Sequence, residues 1–108
     1  MSDASIGMVA LYRWRLHADH EAAFVAAWTR VTIALRQRGS FGSRLHRGDD
    51  GLYYGYAQWP DDATRLAAFA VDDPSLAADQ ATMQAAIAER FPPTLLTPVA
   101  DLLVRPPQ

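Results

Sequence analysis

The chemistry open to this chain of 108 residues is limited first by what it lacks: all ten cationic residues are arginine, and there is no cysteine. Without cysteine there are no disulfides, thiol nucleophiles or sulfur-ligated metals. Without lysine there is no side-chain Schiff base, and a P-loop would miss its usual cation. His17, Asp19, His20 and Glu21 crowd one short segment. Two histidines three apart can share a metal, but no third ligand is evident from elsewhere, and a solvated helix start accounts for the cluster. Gly39-Ser-Phe-Gly-Ser43 has the wrong glycine spacing for a nucleophile elbow or a dinucleotide loop. His46 stands alone and is the side chain outside the cluster expected to titrate near neutrality. It reads either as a surface imidazole or as a proton acceptor. The aspartates sit where caps and turns want them, and Arg36, Arg38, Arg44 and Arg47 read as a solvated patch. With a net charge of −2, no field draws the chain to nucleic acid or an anionic membrane.

The elements that must position such groups are arranged around Leu52-Tyr-Tyr-Gly-Tyr-Ala-Gln-Trp59, which carries four aromatics in eight residues and stops at Pro60-Asp61-Asp62. Aromatic enrichment bounded by turn residues is a strand signal. Both of its faces are apolar, so both need cover; helices of the chain supply one layer, and a partner or ligand the other. Met8 to Leu16 alternates as a first strand, and Ala18 to Arg38 forms a helix with the stripe Phe24, Trp28, Val31, Leu35. Asp19 is the expected N-cap and Gly39 the stop. Ser40 to Arg47 is a second strand, and Gly48-Asp-Asp-Gly51 a hairpin turn. Asp61 or Asp62 caps a short helix carrying Leu66 and Phe69. Asp73-Pro74 opens another, whose stripe Leu76, Gln80, Met83, Ile87, Phe91 ends at Pro92-Pro93. Val99 to Val104 is expected as the last strand. The order strand, helix, strand, strand, broken helix, strand predicts an α+β, ferredoxin-like split βαβ fold with helices on one face of an antiparallel sheet. One domain is expected over 1–108, with 1–7 and 105–108 as flexible tails. The N-terminus has no signal-peptide pattern and no apolar run reaches membrane-spanning length, so the expected compartment is the cytoplasm. The alanine and arginine richness suggests a bacterial genome of high GC content.

Tyr56-Ala-Gln-Trp59 with the following Pro-Asp-Asp-Ala resembles the antibiotic biosynthesis monooxygenase (ABM) family, as do Gly42-Ser-Arg-Leu-His46, the Asp50-Gly51 turn and Asp73-Pro74. The similarity runs from Met8 to Val104. It implies a homodimer formed sheet to sheet into an α/β barrel, which would cover the second face of the aromatic strand. It also implies oxidation of a phenolic or polycyclic aromatic molecule by molecular oxygen, with no flavin, haem or metal cofactor. The substrate's own phenolate would give electrons to oxygen while side chains orient it and stabilise charge. On this resemblance Trp59, His46 and Arg65 are the catalytic candidates: Trp59 stacks on the substrate, His46 accepts a proton and Arg65 stabilises the anion. Gly55, Tyr56, Phe69 and Gln80 are the substrate-binding candidates. Three positions depart from the family: Gly55 replaces an asparagine and enlarges the pocket, Arg65 replaces a tyrosine, and Gln80 replaces an arginine. No histidine follows His46, which excludes a haem-degrading relative. Two other classes share these features. One is a non-catalytic dimeric small-molecule binding or accessory protein of a biosynthetic pathway. The other is an RNA-recognition motif, which Tyr54-Gly-Tyr-Ala-Gln-Trp59 imitates but which expects a basic residue and a glycine where Leu52 and Tyr53 stand.

Overall fold

The computed structural model describes residues 6–104 and 106. Strand β1 (Met8–Leu16) lies inside an antiparallel sheet, paired on one side with β3 (Tyr53–Trp59), which in turn pairs with β2 (Ser43–Arg47). On its other side β1 pairs with β4 (Ile87–Arg90) through Trp14 to Leu16, and with β5 (Thr94–Leu96) through Val9 to Leu11. The sheet order is β2-β3-β1-β4, the ferredoxin-like arrangement. Helix α1 (Glu21–Arg36) follows β1; α2 (Asp62–Ala70), a 3-10 turn (Pro74–Leu76) and α3 (Ala77–Ala86) follow β3.

Local signals account for most element ends. Asp61 caps α2 by accepting from the Thr64 N–H at 2.7 Å, and Asp73 caps the turn opened by Pro74 by accepting from the Ser75 N–H at 3.0 Å. Gly39 leaves α1 at φ +109°, a conformation open chiefly to glycine, and Gly51 closes the hairpin at φ +83°. The N-cap of α1 is His20, with no side-chain cap, and the expected cap Asp19 sits just before it at φ +65°.

Register assigns the faces. Met8, Ala10, Tyr12 and Trp14 pair with Trp59, Ala57, Gly55 and Tyr53, and Ser43, Leu45 and Arg47 continue that face onto β2. This is the helix-covered face. One core cluster on it holds Met8, Ala10, Ala57, Trp59 and Ala68; a second holds Trp14, Phe24 and Ala86, and Tyr12 packs against both. Trp59 and Phe24, at 1% and 0% exposure, are the largest fully buried side chains. An aromatic ring withdraws 150–250 Å² from water, so each is worth about 4–6 kcal/mol as an upper bound. Val9, Leu11, Arg13, Tyr54, Tyr56, Arg44 and His46 occupy the opposite, helix-free face.

Two expectations fail near the C-terminus and one near the N-terminus. The last helix ends at Ala86 rather than Phe91, because Ile87 to Arg90 turns extended and pairs with the free side of β1. Backbone groups of a strand edge gain ladder hydrogen bonds this way, and the N–H of Ile87 still closes the helix on Met83 and Gln84. The final strand is Thr94–Leu96, and Val99 to Val104 forms no strand. Gly7, placed with the tail, donates to the Trp59 carbonyl at 3.0 Å and so extends the ladder. The remaining tail positions 1–5, 105, 107 and 108 lie outside the described residues. Among the described residues, no helix is long and apolar enough to cross a membrane.

Candidate functional site

Where the two core clusters meet, under α1 and α3, the sheet leaves a cavity of about 120 Å³. Its floor is Tyr12, Trp14, Gly55, Ala57 and Trp59 from β1 and β3, with Ser43 at the β2 side. Trp28, Val31, Thr32 and Leu35 of α1 and Met83 of α3 form the roof, and Phe69 of α2 and Arg90 of β4 complete the wall. Phe69 is 51% exposed and touches both Tyr12 (edge-to-face, 6.4 Å between centroids) and Trp59 (tilted, 6.1 Å), so it stands at the mouth.

The polar groups on this apolar wall are few. The indole Nε1 of Trp59 is buried and has no hydrogen-bond partner among the described residues. A buried N–H without a partner costs roughly 1–3 kcal/mol, and here it belongs to a residue that lines the cavity. The Tyr12 phenol oxygen accepts from Arg65 Nη1 at 3.2 Å, which leaves its own O–H free to donate. Arg65 is held in turn by Asp62 at 2.7 Å, and its side chain is 12% exposed. Burial acts to lower the Arg65 pKa, but the bonds to Asp62 and Tyr12 outweigh it and the net direction is upward, so the guanidinium stays charged. Arg90 adds a second cation beside Trp14, its partner in the β1–β4 register.

The structure brings some of the expected site residues together and separates others. Trp59, Gly55 and Phe69 line the cavity, and Arg65 reaches it through Tyr12. His46 does not. On β2 it pairs with Tyr54 of β3, is exposed, and lies on the helix-free face, with the sheet between it and Trp59. Tyr56 shares that face, where it lines a groove of about 420 Å³ with Val9 and the segment from Leu96 to Leu103. Gln80 lies exposed on α3 and is not part of the cavity wall. Gly55 does not enlarge the pocket either: Trp14 Cη2 lies 2.9 Å from where a Cβ on Gly55 would stand, so the indole already fills that space.

The groove on the open face is larger, but 80–90% of the surface of Leu102 and Leu103 on its rim is in solvent. The smaller cavity lies between sheet and helices, is walled by aromatic side chains and includes Trp59, and is the better site. Arg90, Thr32 and Met83 were not foreseen as part of it. Phe91 before Pro92 was the available signal for Arg90, since a residue preceding proline is biased to extended backbone and so away from a helix end. Among the described residues, no group of three or more His, Cys, Asp or Glu side chains could hold a metal ion.

A second polar cluster lies at the far end of the same face. Glu21 accepts from the Tyr53 hydroxyl at 2.8 Å and from Arg47 at 2.7 Å. The Tyr53 bond, then the Arg47 bond, holds the Glu21 carboxyl below its ordinary range, and the same contact raises Tyr53. These bonds fasten the start of α1 to the β2–β3 hairpin.

No family model and no curated protein matches the chain. Solved structures do. SnoaB, a cofactor-independent oxygenase from Streptomyces nogalater, superposes with a TM-score of 0.73 at 20% identity, covering 91% of this chain and 98% of that one. A monooxygenase from the gene ActVA-Orf6 of Streptomyces coelicolor, solved with the ligand nanaomycin D, gives 0.72 at 21% identity over 95% and 96%. A protein assigned as an antibiotic biosynthesis monooxygenase from Chloroflexus aurantiacus gives 0.70 at 14% identity over 87% and 94%. The chain has the fold of the antibiotic biosynthesis monooxygenases, with antiparallel sheet and helix layer matched over nearly its whole length.

Proposed function

We propose that this protein oxidises a phenolic aromatic molecule with molecular oxygen in the cavity between sheet and helices, without a bound cofactor. The observation that carries the reading is an aromatic-walled cavity lined by Trp59, whose buried Nε1–H has no partner among the described residues, on a fold shared with SnoaB, a cofactor-independent oxygenase. A phenolate oxygen would accept from Trp59 Nε1–H and from Tyr12 O–H, whose oxygen is held by Arg65. These charge-assisted bonds hold the anion better than the neutral phenol. The phenolate is then the electron source. A ring C–H bond and the O–O bond break, a ring C–O bond forms, and one phenol and one dioxygen give one quinone and one water. The substrate supplies all the electrons, so no external reductant enters.

No His, Asp or Glu lines the cavity among the described residues. The proton therefore leaves to solvent at the Phe69 mouth, not to His46, and what the wall contributes is preference for the ionised substrate. The same absence favours a second reading, a non-catalytic binding protein of a biosynthetic pathway. In either case the helix-free face, where Val9, Leu11, Tyr54 and Tyr56 stand among Arg13, Arg44 and His46, would pair with a second copy, giving a homodimer through sheet faces.

A thermal-shift screen of phenols and quinones, with oxygen uptake followed for each hit, tests the proposal. Ligand at a hundred times its dissociation constant stabilises by about 2.7 kcal/mol, or roughly 10–20 °C for a domain of this size. Uptake without added flavin or metal supports oxidation; binding without uptake supports the second reading.

A further inference from the structure

We infer that Trp14, seated over Gly55, limits the site to single-ring phenols. The inference rests on the cavity being the substrate site. Tyr12 and Gly55 face each other in the β1–β3 register, and Trp14 is the diagonal neighbour of that glycine on the same face. Its indole lies flat beside Tyr12 (5.9 Å, 10° between planes) and takes Phe24 edge-on (5.3 Å, 62°). A side chain this constrained, 5% exposed and packed on three sides, has no free rotamer to swing into.

The glycine is what allows the arrangement. A Cβ at position 55 would stand 2.9 Å from Trp14 Cη2 and 3.0 Å from Cζ3, closer than carbon atoms pack. Gly55 and Trp14 therefore act as a pair: the first removes a side chain from the floor, and the second occupies the room so made. The cavity that remains is about 120 Å³. An apolar cavity of about 150 Å³ holds one benzene ring, whereas pockets for larger organic ligands run to about 300–1,000 Å³. With Trp14 closing the inner end, a second fused ring could extend only past Phe69 into water. Apolar ring surface left in solvent gains no affinity.

The test measures affinity and oxygen uptake separately, for catechol, 1-naphthol and 9-phenanthrol, on the wild type and on Trp14→Phe, Trp14→Ala and Gly55→Ala. In the wild type, catechol is expected to bind and 9-phenanthrol to bind at least tenfold more weakly. Trp14→Ala is expected to reverse that order, with Trp14→Phe between. Gly55→Ala, which drives the indole into the remaining space, is expected to weaken catechol at least fivefold. Should both Trp14 variants fail to fold, the Gly55→Ala arm decides: unchanged catechol affinity overturns the inference. Wild type binding 9-phenanthrol as tightly as catechol, or binding none of the three, also overturns it. Catechol binding without oxygen uptake leaves the size limit standing and instead sinks the oxidation reading.

Discussion

Replacing Trp59 by phenylalanine isolates the one group on which the site depends. Trp59 is 1% exposed, and its Nε1–H has no partner among the described residues. In the ligand-free protein the change removes an unsatisfied donor, a gain of roughly 1–3 kcal/mol. It also removes part of a buried ring, whose complete truncation would cost about 3–5 kcal/mol. The two terms oppose each other, so stability should change by no more than about 2 kcal/mol. Binding has no such cancellation. A hydrogen bond to a charged oxygen is worth about 1.5–3 kcal/mol, which is a loss of roughly 10- to 150-fold in phenolate affinity. An analogue without the oxygen, such as toluene, never made that bond and should lose only about threefold or less. Calorimetric titration of both ligands into both proteins gives the comparison. Equal losses for phenolate and toluene would show that Trp59 acts by shape alone and would refute its role as donor.

Further expectations concern the proton and the scaffold. Because no base lines the cavity, the pH midpoint of oxidation should follow the ionisation of the phenol itself across a substituted series, and His46→Ala should change the rate by no more than about twofold. A midpoint that stays fixed for every substrate and is abolished by that variant would restore His46 as the base. Phe24→Ala, at the centre of the second core cluster with 0% exposure, should destabilise by about 3–5 kcal/mol in denaturant titration. Gly39→Ala should cost about 1–3 kcal/mol, since φ is +109° and the new Cβ would meet Thr64 Cγ2 at 2.5 Å. In acid, Asp61 and Asp73 contribute to the slope alongside Glu21 and Asp50, which are also held low: hydrogen bonds from Thr64 and from Ser75, the latter reinforced by Arg38, hold the Asp61 and Asp73 carboxyls below the ordinary 3.8. Their contribution is present above that value and lost as pH falls through the depressed ones. Thermal midpoints should therefore be flat near neutrality and fall below about pH 4, less steeply in an Asp61→Asn, Asp73→Asn variant.

What the sequence made legible is what short-range chemistry decides. Asp61 and Asp73 cap, Gly39 and Gly51 turn, and the aromatic strand stops at Pro60, because each depends on residues within a few positions. The β4–β5 edge was not legible, since Ile87 to Arg90 is extended only because β1 offers an unpaired side. The pairing of His46 with Trp59 failed for a simpler reason. The turn from Gly48 to Gly51 sets His46 opposite Tyr54, and Trp59 lies five positions beyond Tyr54, an odd step. Alternation then puts the histidine and the tryptophan on opposite faces. That parity was available from the hairpin alone, but an apolar pattern on both faces of β3 gave no reason to use it. Gly55 taken with its sequence neighbours implies added space, because nothing local shows that Trp14, from another strand, lies over it.

Mass spectrometry of the product formed under ¹⁸O₂ tests the central claim most directly, using purified protein, a single-ring phenol, a chelator and no added flavin. The account expects a quinone carrying one labelled oxygen, formed one for one with oxygen consumed. An unlabelled product, or none at all from a phenol that binds, would contradict it.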